Sequence, residues 1–370
     1  MTTKSLFDSV RLGRITLPNR LVMNPMTRSR SDTEGRVGEL TVTYFAQRAT
    51  AGLIISDGIA PSPNGKGYPR IPGLWSDAQV EAWKPVTKAV HDAGGRIFAQ
   101  IMHTGRVSHP ANMVAGSKIV APSAVQLDGQ MWTDESGMQA YPVPEALDDA
   151  GVEQAKNEFV HAAKNAIAAG FDGIELHGAN GYLIEQFLYP GTNRRSDRWG
   201  GSVENRIRFA VEVTRATAAA IGADRVGLRI SPYGKANGTS EYPETDETYM
   251  ALAKALAPLG LAYLHVADHF GATNGGPGAY PKLEALKAKL RDIWGEGPFL
   301  IGGSFEKDSA VRAVKEGTTD LVGFGKAFIA NPDLVRRFRE GLELSAPDAT
   351  TFFTPGAKGY TDYPSAAQEP

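Results

Sequence analysis

The sequence predicts an α/β fold, a (β/α)8 TIM barrel with extended βα loops, and three observations predict it. Short apolar runs rich in β-branched residues alternate with longer amphipathic stretches, which is the pattern of βα units repeated around a parallel sheet. About eight such units can be counted along the chain, which suits a barrel better than a doubly wound open sheet. The runs are also nearly continuous in apolar residues, as strands buried on both faces must be.

The strands are read at RLVMNP (20–25), LIISD (53–57), RIFAQIMH (96–103), FDGIELHG (171–178), VGLRISP (226–232), LAYLHVAD (261–268), PFLIGG (298–303) and LVGFG (321–325). Helical patterns follow each of them and include 77–94, 154–170, 203–222 and 308–317. Each of these four closes on a glycine, which suits the left-handed turn at a helix C-terminus.

A barrel needs roughly 250 residues. The chain has 370, so the surplus sits in loops. Most of it lies at 104–150, after the third strand, with Pro, Gly and polar clusters and the aromatics Trp132 and Tyr141. Because βα loops emerge at the C-terminal face where barrel sites lie, this segment is expected to be a partial lid. From about Thr350 the chain reads as an irregular tail, and nothing in its composition marks a linker. The whole, 1–370, is therefore expected to be one domain.

Composition narrows the function. Lys and Arg (39) nearly balance Asp and Glu (41), for a net charge of −2, so nothing attracts a phosphate backbone or an anionic membrane, and no nucleic-acid or membrane partner is expected. The opening MTTKSLFDSVRLGR lacks an apolar signal segment, and a cytoplasmic location is the default expectation. There are no cysteines, which removes disulfides, thiol nucleophiles and Cys-ligated clusters. Redox chemistry would then need a bound cofactor.

With the strands placed, polar residues gather at their C-terminal ends: Thr27 after the first, Asp57 on the second, Gln100 and His103 on the third, His177 and Asn180 after the fourth and Arg229 on the fifth. Polar groups inside apolar strands are costly unless paired. Each alone could be a buried network residue, and their convergence is what suggests a site. Strands seven and eight end in Gly302, Gly303, Gly325 and Lys326. Glycines there suit either a phosphate cradled by bare N–H groups or a pair of tight turns. No G-x-x-x-x-G-K-[ST] loop and no G-x-G-x-x-G fingerprint opens a helix. HVADH (265–269) lacks the Glu of a zinc-protease motif, and no metal site is expected. RRSDRWGG (194–201) reads as a loop of ion pairs.

Several long segments carry a family resemblance: LFDSVRLGRITLPNRLVMNPMTRSR, QIMHTGR, IELHGANGYLIEQFLYPGTNRRSDRWGGSVENR, GLRISP, FIANPDLV and GYTDYP. The chain resembles the Old Yellow Enzyme family, close to its bacterial N-ethylmaleimide and nitroester reductase branch. That resemblance implies FMN across the barrel mouth, reduced by NADPH or NADH and reoxidised by an activated alkene. It puts Pro25, Met26, Thr27, Gly58 and Gln100 along the isoalloxazine, with Thr27 on its O4 side and Arg229 at its N1 and O2 edge. By the same resemblance Gly303, Gly325 and Lys326 would hold the phosphate, with Gly302 beside them in the cofactor site.

His177 and Asn180 resemble the family's pair that binds the substrate oxygen, where two donors stabilise the charge that develops as hydride reaches Cβ of an enone. Tyr182 matches the proton donor to Cα, and its ordinary pKa of about 10 keeps it protonated at neutral pH. Thr27, Met102 and Phe353 complete the substrate-binding set. Met102 stands where close relatives carry Trp, Asp57 where many have Glu, Lys326 where Arg is usual, Asn180 where many have His, and Phe353 where Tyr is frequent. The expected activity is that of an FMN-dependent ene-reductase acting on small α,β-unsaturated carbonyls, and on nitroalkenes, maleimides or nitroesters by the same chemistry. The alternatives are a dihydroorotate- or dihydrouridine-type FMN barrel and a non-redox aldolase-like barrel. Monomer and dimer are both open.

Overall fold

The computed structural model describes residues 4–268, 278–303 and 305–367. Eight parallel strands close into a barrel: β1 (Leu21–Met23), β2 (Leu53–Ile59), β3 (Ile97–Ile101), β4 (Gly173–Gly178), β5 (Val226–Ile230), β6 (Tyr263–Ala267), β7 (Phe299–Gly302) and β8 (Leu321–Phe324). β8 pairs with β1, Val322 opposite Leu21 and Phe324 opposite Met23, so no sheet edge is left open. Each strand is followed by a covering helix: α1 (Glu39–Ala46), α2 (Asp77–Asp92), α3 (Asp149–Ala168), α4 (Val203–Ile221), α5 (Thr245–Leu256), α6 (Pro281–Trp294), α7 (Lys307–Glu316) and α8 (Leu334–Glu340). Among the described residues, no helix is long and apolar enough to cross a membrane.

Local chemistry fixes the helix ends. Ser76 and Gln79 form a reciprocal capping box at the start of α2, and the Ser202 hydroxyl accepts from Asn205 N–H at the start of α4. α3 begins at Asp149, earlier than the apolar period suggests, because the Asp148 carboxylate accepts from Gly151 N–H and caps it. Outside the barrel, the buried aromatics Trp83, Phe159, Phe187 and Phe209 pack the helices onto the strands.

At the N-terminal end of the barrel, a hairpin of Val10–Leu12 and Ile15–Leu17 turns at Gly13, whose φ of 53° is left-handed. Its Leu12 and Leu17 pack with Val22, Leu53, Ile55, Phe98, Tyr263 and Leu300 and plug the floor. Chemistry is thereby confined to the other end. The 104–150 segment carries a two-stranded hairpin, Gln130–Thr133 with Gly137–Ala140, and a short parallel pair, Val120–Ala121 with Glu145–Ala146. The tail is tied down by arginines of the β1–α1 loop: Arg28 donates to the carbonyls of Phe352 and Gly359, and Arg30 to those of Thr351, Phe352 and Lys358.

Candidate active site

The mouth is built around the turn that leaves β4. Asn180 (φ 59°) and Gly181 (φ 73°) are both left-handed, a conformation that Asn tolerates and Gly adopts freely. Buried Glu185 stabilises it by accepting from Gly181 N–H at 2.6 Å, Ser231 hydroxyl at 2.8 Å and Tyr249 hydroxyl at 2.6 Å. Asn180 N–H donates to Ser231 Oγ at 2.8 Å, and the Asn237 amide donates to Asn180 carbonyl at 2.8 Å. The backbone is held at both ends, so the side chains of this turn are aimed before any ligand arrives.

His177 Nδ1 accepts from Ala179 N–H at 3.3 Å, which places the ring proton of the neutral imidazole on Nε2 and makes that atom a donor. The His177 and Tyr182 rings meet edge to face with centroids 4.9 Å apart. The Tyr182 hydroxyl lies 3.1 Å from that of Tyr68, in the β2–α2 loop. Burial pushes the Tyr182 phenol up, while hydrogen bonds with Tyr68 and Asn237 pull it down; the balance leaves it raised and protonated at neutral pH.

Across the mouth, Arg229 on β5 is 7% exposed. Its Nε has no hydrogen-bond partner, and among the described residues the guanidinium has no ion-pair contact. Desolvation lowers its pKa and the charge of Glu175 raises it again. A buried guanidinium stays charged and still needs acceptors. β4 and β5 place His177 opposite Arg229, and β5 and β6 place Arg229 opposite His265.

Below this level Gln100 meets Glu175 and His265, two residues to which the sequence alone gives no site role. Gln100 Nε2 donates to Glu175 Oε1 at 2.8 Å, and Glu175 Oε2 lies 2.7 Å from His265 Nδ1. The signal was present in the alternation of β4, where Glu175 and His177 share the inward face. Tyr68 and Asn237 carry no comparable signal, since loops bring them in from elsewhere in the chain, whereas Glu185 follows Tyr182 by three residues in the short helix Leu183–Leu188 and its part shows only in its contacts.

The remaining candidates divide. Met102 is buried with Ala60 and Ile71 and packs beside Tyr68 and Tyr182; a Cβ on Gly58 would come within 2.6 Å of its sulfur. Thr27 and Met26 are half-buried at the end of β1 and Pro25 is buried. A Cβ on Gly302 would meet His265 Nε2 at 2.5 Å and Asn24 Nδ2 at 2.7 Å, so packing beneath the mouth demands that glycine. Gly303 stands against Asp268, and a Cβ on Gly325 would meet only Met26, at 3.5 Å. Lys326 is exposed beside Gly325, without an ion pair to any described residue. Phe353 is 60% exposed, and its carbonyl accepts from Arg70.

Two residues of the polar set face outward. His103 packs on Phe159 of α3, and burial lowers its pKa to about 4. Asp57 lies in an irregularity of β2, between Ile55 and Gly58, that sets Gly58 opposite Gln100; its carboxylate accepts from Arg28 N–H at 3.1 Å, and burial raises its pKa to about 6. RRSDRWGG makes the expected ion pairs, Arg195 with Asp197 and Arg198 with Glu153. Of HVADH, His265 points into the barrel and His269 lies outside the described residues. Among the described residues, no cluster of His, Cys, Asp or Glu could hold a metal.

A closed barrel whose floor is plugged and whose mouth gathers a buried cation, an imidazole donor and a protonated phenol defines a barrel oxidoreductase of the flavin-dependent class. Residues 5–345 match the NADH:flavin oxidoreductase / NADH oxidase family, and the chain belongs to it, within the Old Yellow Enzyme group. An old yellow enzyme homologue from Zymomonas mobilis is 41% identical, with a TM-score of 0.91 over 98% of this chain and 99% of that one. Morphinone reductase in complex with tetrahydroNAD is 40% identical, with a TM-score of 0.91 over 98% of each chain. A probable flavin mononucleotide-dependent alkene reductase of Leishmania infantum is 40% identical over 95% of both chains.

Proposed function

We propose that the protein is an FMN-dependent ene-reductase that uses NADPH or NADH. The observation that carries this reading is Arg229, a buried cation without a hydrogen-bond partner for its Nε, set at the mouth beside His177. FMN fits such a place: its pyrimidine edge offers the missing acceptors, the bare backbone at Gly303 and Gly325 suits its phosphate, and Lys326 adds a cation. When bound, FMN would supply the two-electron redox centre between NADPH or NADH and an activated alkene. Pro25, Met26, Thr27, Gly58 and Gln100 complete its surroundings in this reading.

The chain's own residues then do the rest. His177, through Nε2–H, and Asn180 hold the substrate carbonyl oxygen and stabilise the charge it gains. Tyr182 delivers the proton to Cα, and its raised pKa keeps that proton available. Met102 shapes the pocket wall and Phe353 stands at its outer rim, while residues 104–150 act as the partial lid. The substrates are small activated alkenes, and a cytoplasmic location goes with this reading. An aldolase-like reading is disfavoured because none of the eight strands carries a lysine.

Colour tests the proposal. Purified protein should be yellow or turn yellow with FMN, bleach with NADPH without oxygen, and recolour on adding 2-cyclohexenone. Protein that takes up no FMN, or that bleaches and is not reoxidised by any enone, overturns it.

A further inference from the structure

Under the mouth, the barrel changes character within one layer of side chains. The floor is apolar, with Leu53, Ile55, Phe98 and Leu300. One step higher stand Gln100, Glu175 and His265, beneath Arg229 at the mouth, with Glu175 and His265 completely buried. Burying a carboxylate costs several kcal/mol unless its charge is used, and apolar residues fill the same barrel cross-section just below. The roles assigned above leave Glu175 and His265 without a task.

We propose that Glu175 and His265 are a positioning pair that aims Gln100 and Arg229 at the cofactor and sets the reduction potential of bound FMN. The inference rests on the FMN reading of the mouth. Its geometry follows from the hydrogen bonds. Glu175 Oε1 engages the Gln100 amide nitrogen at 2.8 Å, so the Gln100 carbonyl oxygen is turned to present an acceptor instead. Glu175 Oε2 takes His265 Nδ1 at 2.7 Å. The carboxylate is thus fixed through both oxygens, and it is the strongest opposing charge acting on Arg229. Desolvation pushes Glu175 up, but His265, Arg229 and Gln100 together hold it below its ordinary value, so the charge is retained. Burial keeps His265 neutral. Gly302 makes the arrangement possible, since any Cβ there would collide with His265 Nε2.

The electrostatic consequence has a sign. Arg229 favours the negative charge that reduction adds to the isoalloxazine, and Glu175 beneath it opposes that charge. Glu175→Gln removes the opposing charge with little change of shape, so the FMN reduction equilibrium should shift toward the reduced form by about tenfold, which is about +30 mV for a two-electron couple. His265→Leu removes the donor that holds Glu175 ionised and should shift the potential in the same direction. His265→Asn keeps a donor and should stay near wild type.

The experiment is spectroelectrochemical titration of the holoproteins, together with FMN dissociation constants and thermal melts, none of which depends on turnover. The expected result is a positive shift in Glu175→Gln and His265→Leu that His265→Asn largely restores. If Glu175→Gln does not fold, the two His265 variants decide the matter on the same criterion. Variants that bind FMN at the wild-type potential overturn the inference and leave the FMN reading standing. Wild-type protein that takes up no FMN overturns both.

Discussion

Tyr182→Phe separates the two half-reactions. The substitution removes one oxygen and keeps the ring, so the edge-to-face contact with His177 at 4.9 Å survives and the effect belongs to the hydroxyl. Hydride arrival at the cofactor needs no carbon protonation, so reduction by NADPH should stay within about twofold of wild type, whereas alkene-dependent reoxidation should slow by about 10²–10⁴-fold, the usual worth of a placed general acid. At 1.36 kcal/mol per decade that is about 3–5 kcal/mol of barrier. The partner of that hydroxyl sets a smaller scale: the Tyr68 hydroxyl, 3.1 Å from that of Tyr182, helps restrain the rise of its pKa. Tyr68→Phe removes one neutral hydrogen bond of about 0.5–1.5 kcal/mol and should slow reoxidation by about 2–12-fold. Because the Tyr182 pKa is raised, wild-type reoxidation should be flat from about pH 6 to about 9 with respect to this group. Stopped-flow absorbance in the flavin band reads each half-reaction alone. Equal slowing of both in Tyr182→Phe refutes the proton-donor role and makes Tyr182 a structural residue of the loop.

Three further outcomes are expected. Lys326→Ala should weaken FMN binding and Lys326→Arg should hold it at least as well, measured by fluorescence titration; equal affinities would remove Lys326 from the phosphate site. Gly302→Ala should destabilise the barrel by about 1–3 kcal/mol through overpacking against His265 and Asn24, whereas Gly325→Ala, with 3.5 Å to its nearest neighbour, should leave the melt unchanged and lower FMN retention. Asp57 and His103 should give opposite pH slopes in denaturant unfolding. With a folded pKa of about 6 raised from 3.8, Asp57 contributes stability in acid that is lost as pH rises toward 6, and with a folded pKa of about 4 lowered from 6.5, His103 contributes stability above 6.5 that is lost as pH falls toward 4. Each swing is worth about 3 kcal/mol, so Asp57→Asn should gain on wild type as pH rises and His103→Asn should gain as pH falls; parallel slopes would contradict both burial assignments.

The barrel was legible because its strands are buried on both faces. That constraint writes eight apolar runs into the chain in a form that needs no long-range information, and the helix caps at Ser76 and Ser202 are equally local. The three-residue strands of the floor hairpin escape such a reading, because each is too short to show a period and is stabilised by packing on Val22, Phe98 and Tyr263. The candidate site was legible where its residues end strands, as Gln100, His177 and Arg229 do, since a parallel barrel delivers every strand end to one face.

What only the tertiary structure decided is where those side chains point and what they meet. His103 and Asp57 also lie toward strand ends, yet one packs on Phe159 and the other supports the Arg28 backbone; the irregularity in β2 that sets Gly58 rather than Asp57 opposite Gln100 has no signature in composition. Tyr68 reaches the Tyr182 hydroxyl across 114 residues of chain, and Glu185 fixes the Asn180–Gly181 turn through Ser231, which comes from another βα loop. Such contacts depend on loop closure over long separations, which periodicity cannot encode. The sequence alone therefore determined the scaffold and the residue types at its mouth, while packing determined which of them are buried, paired or left with unmet hydrogen-bonding capacity, and hence which can act on a ligand.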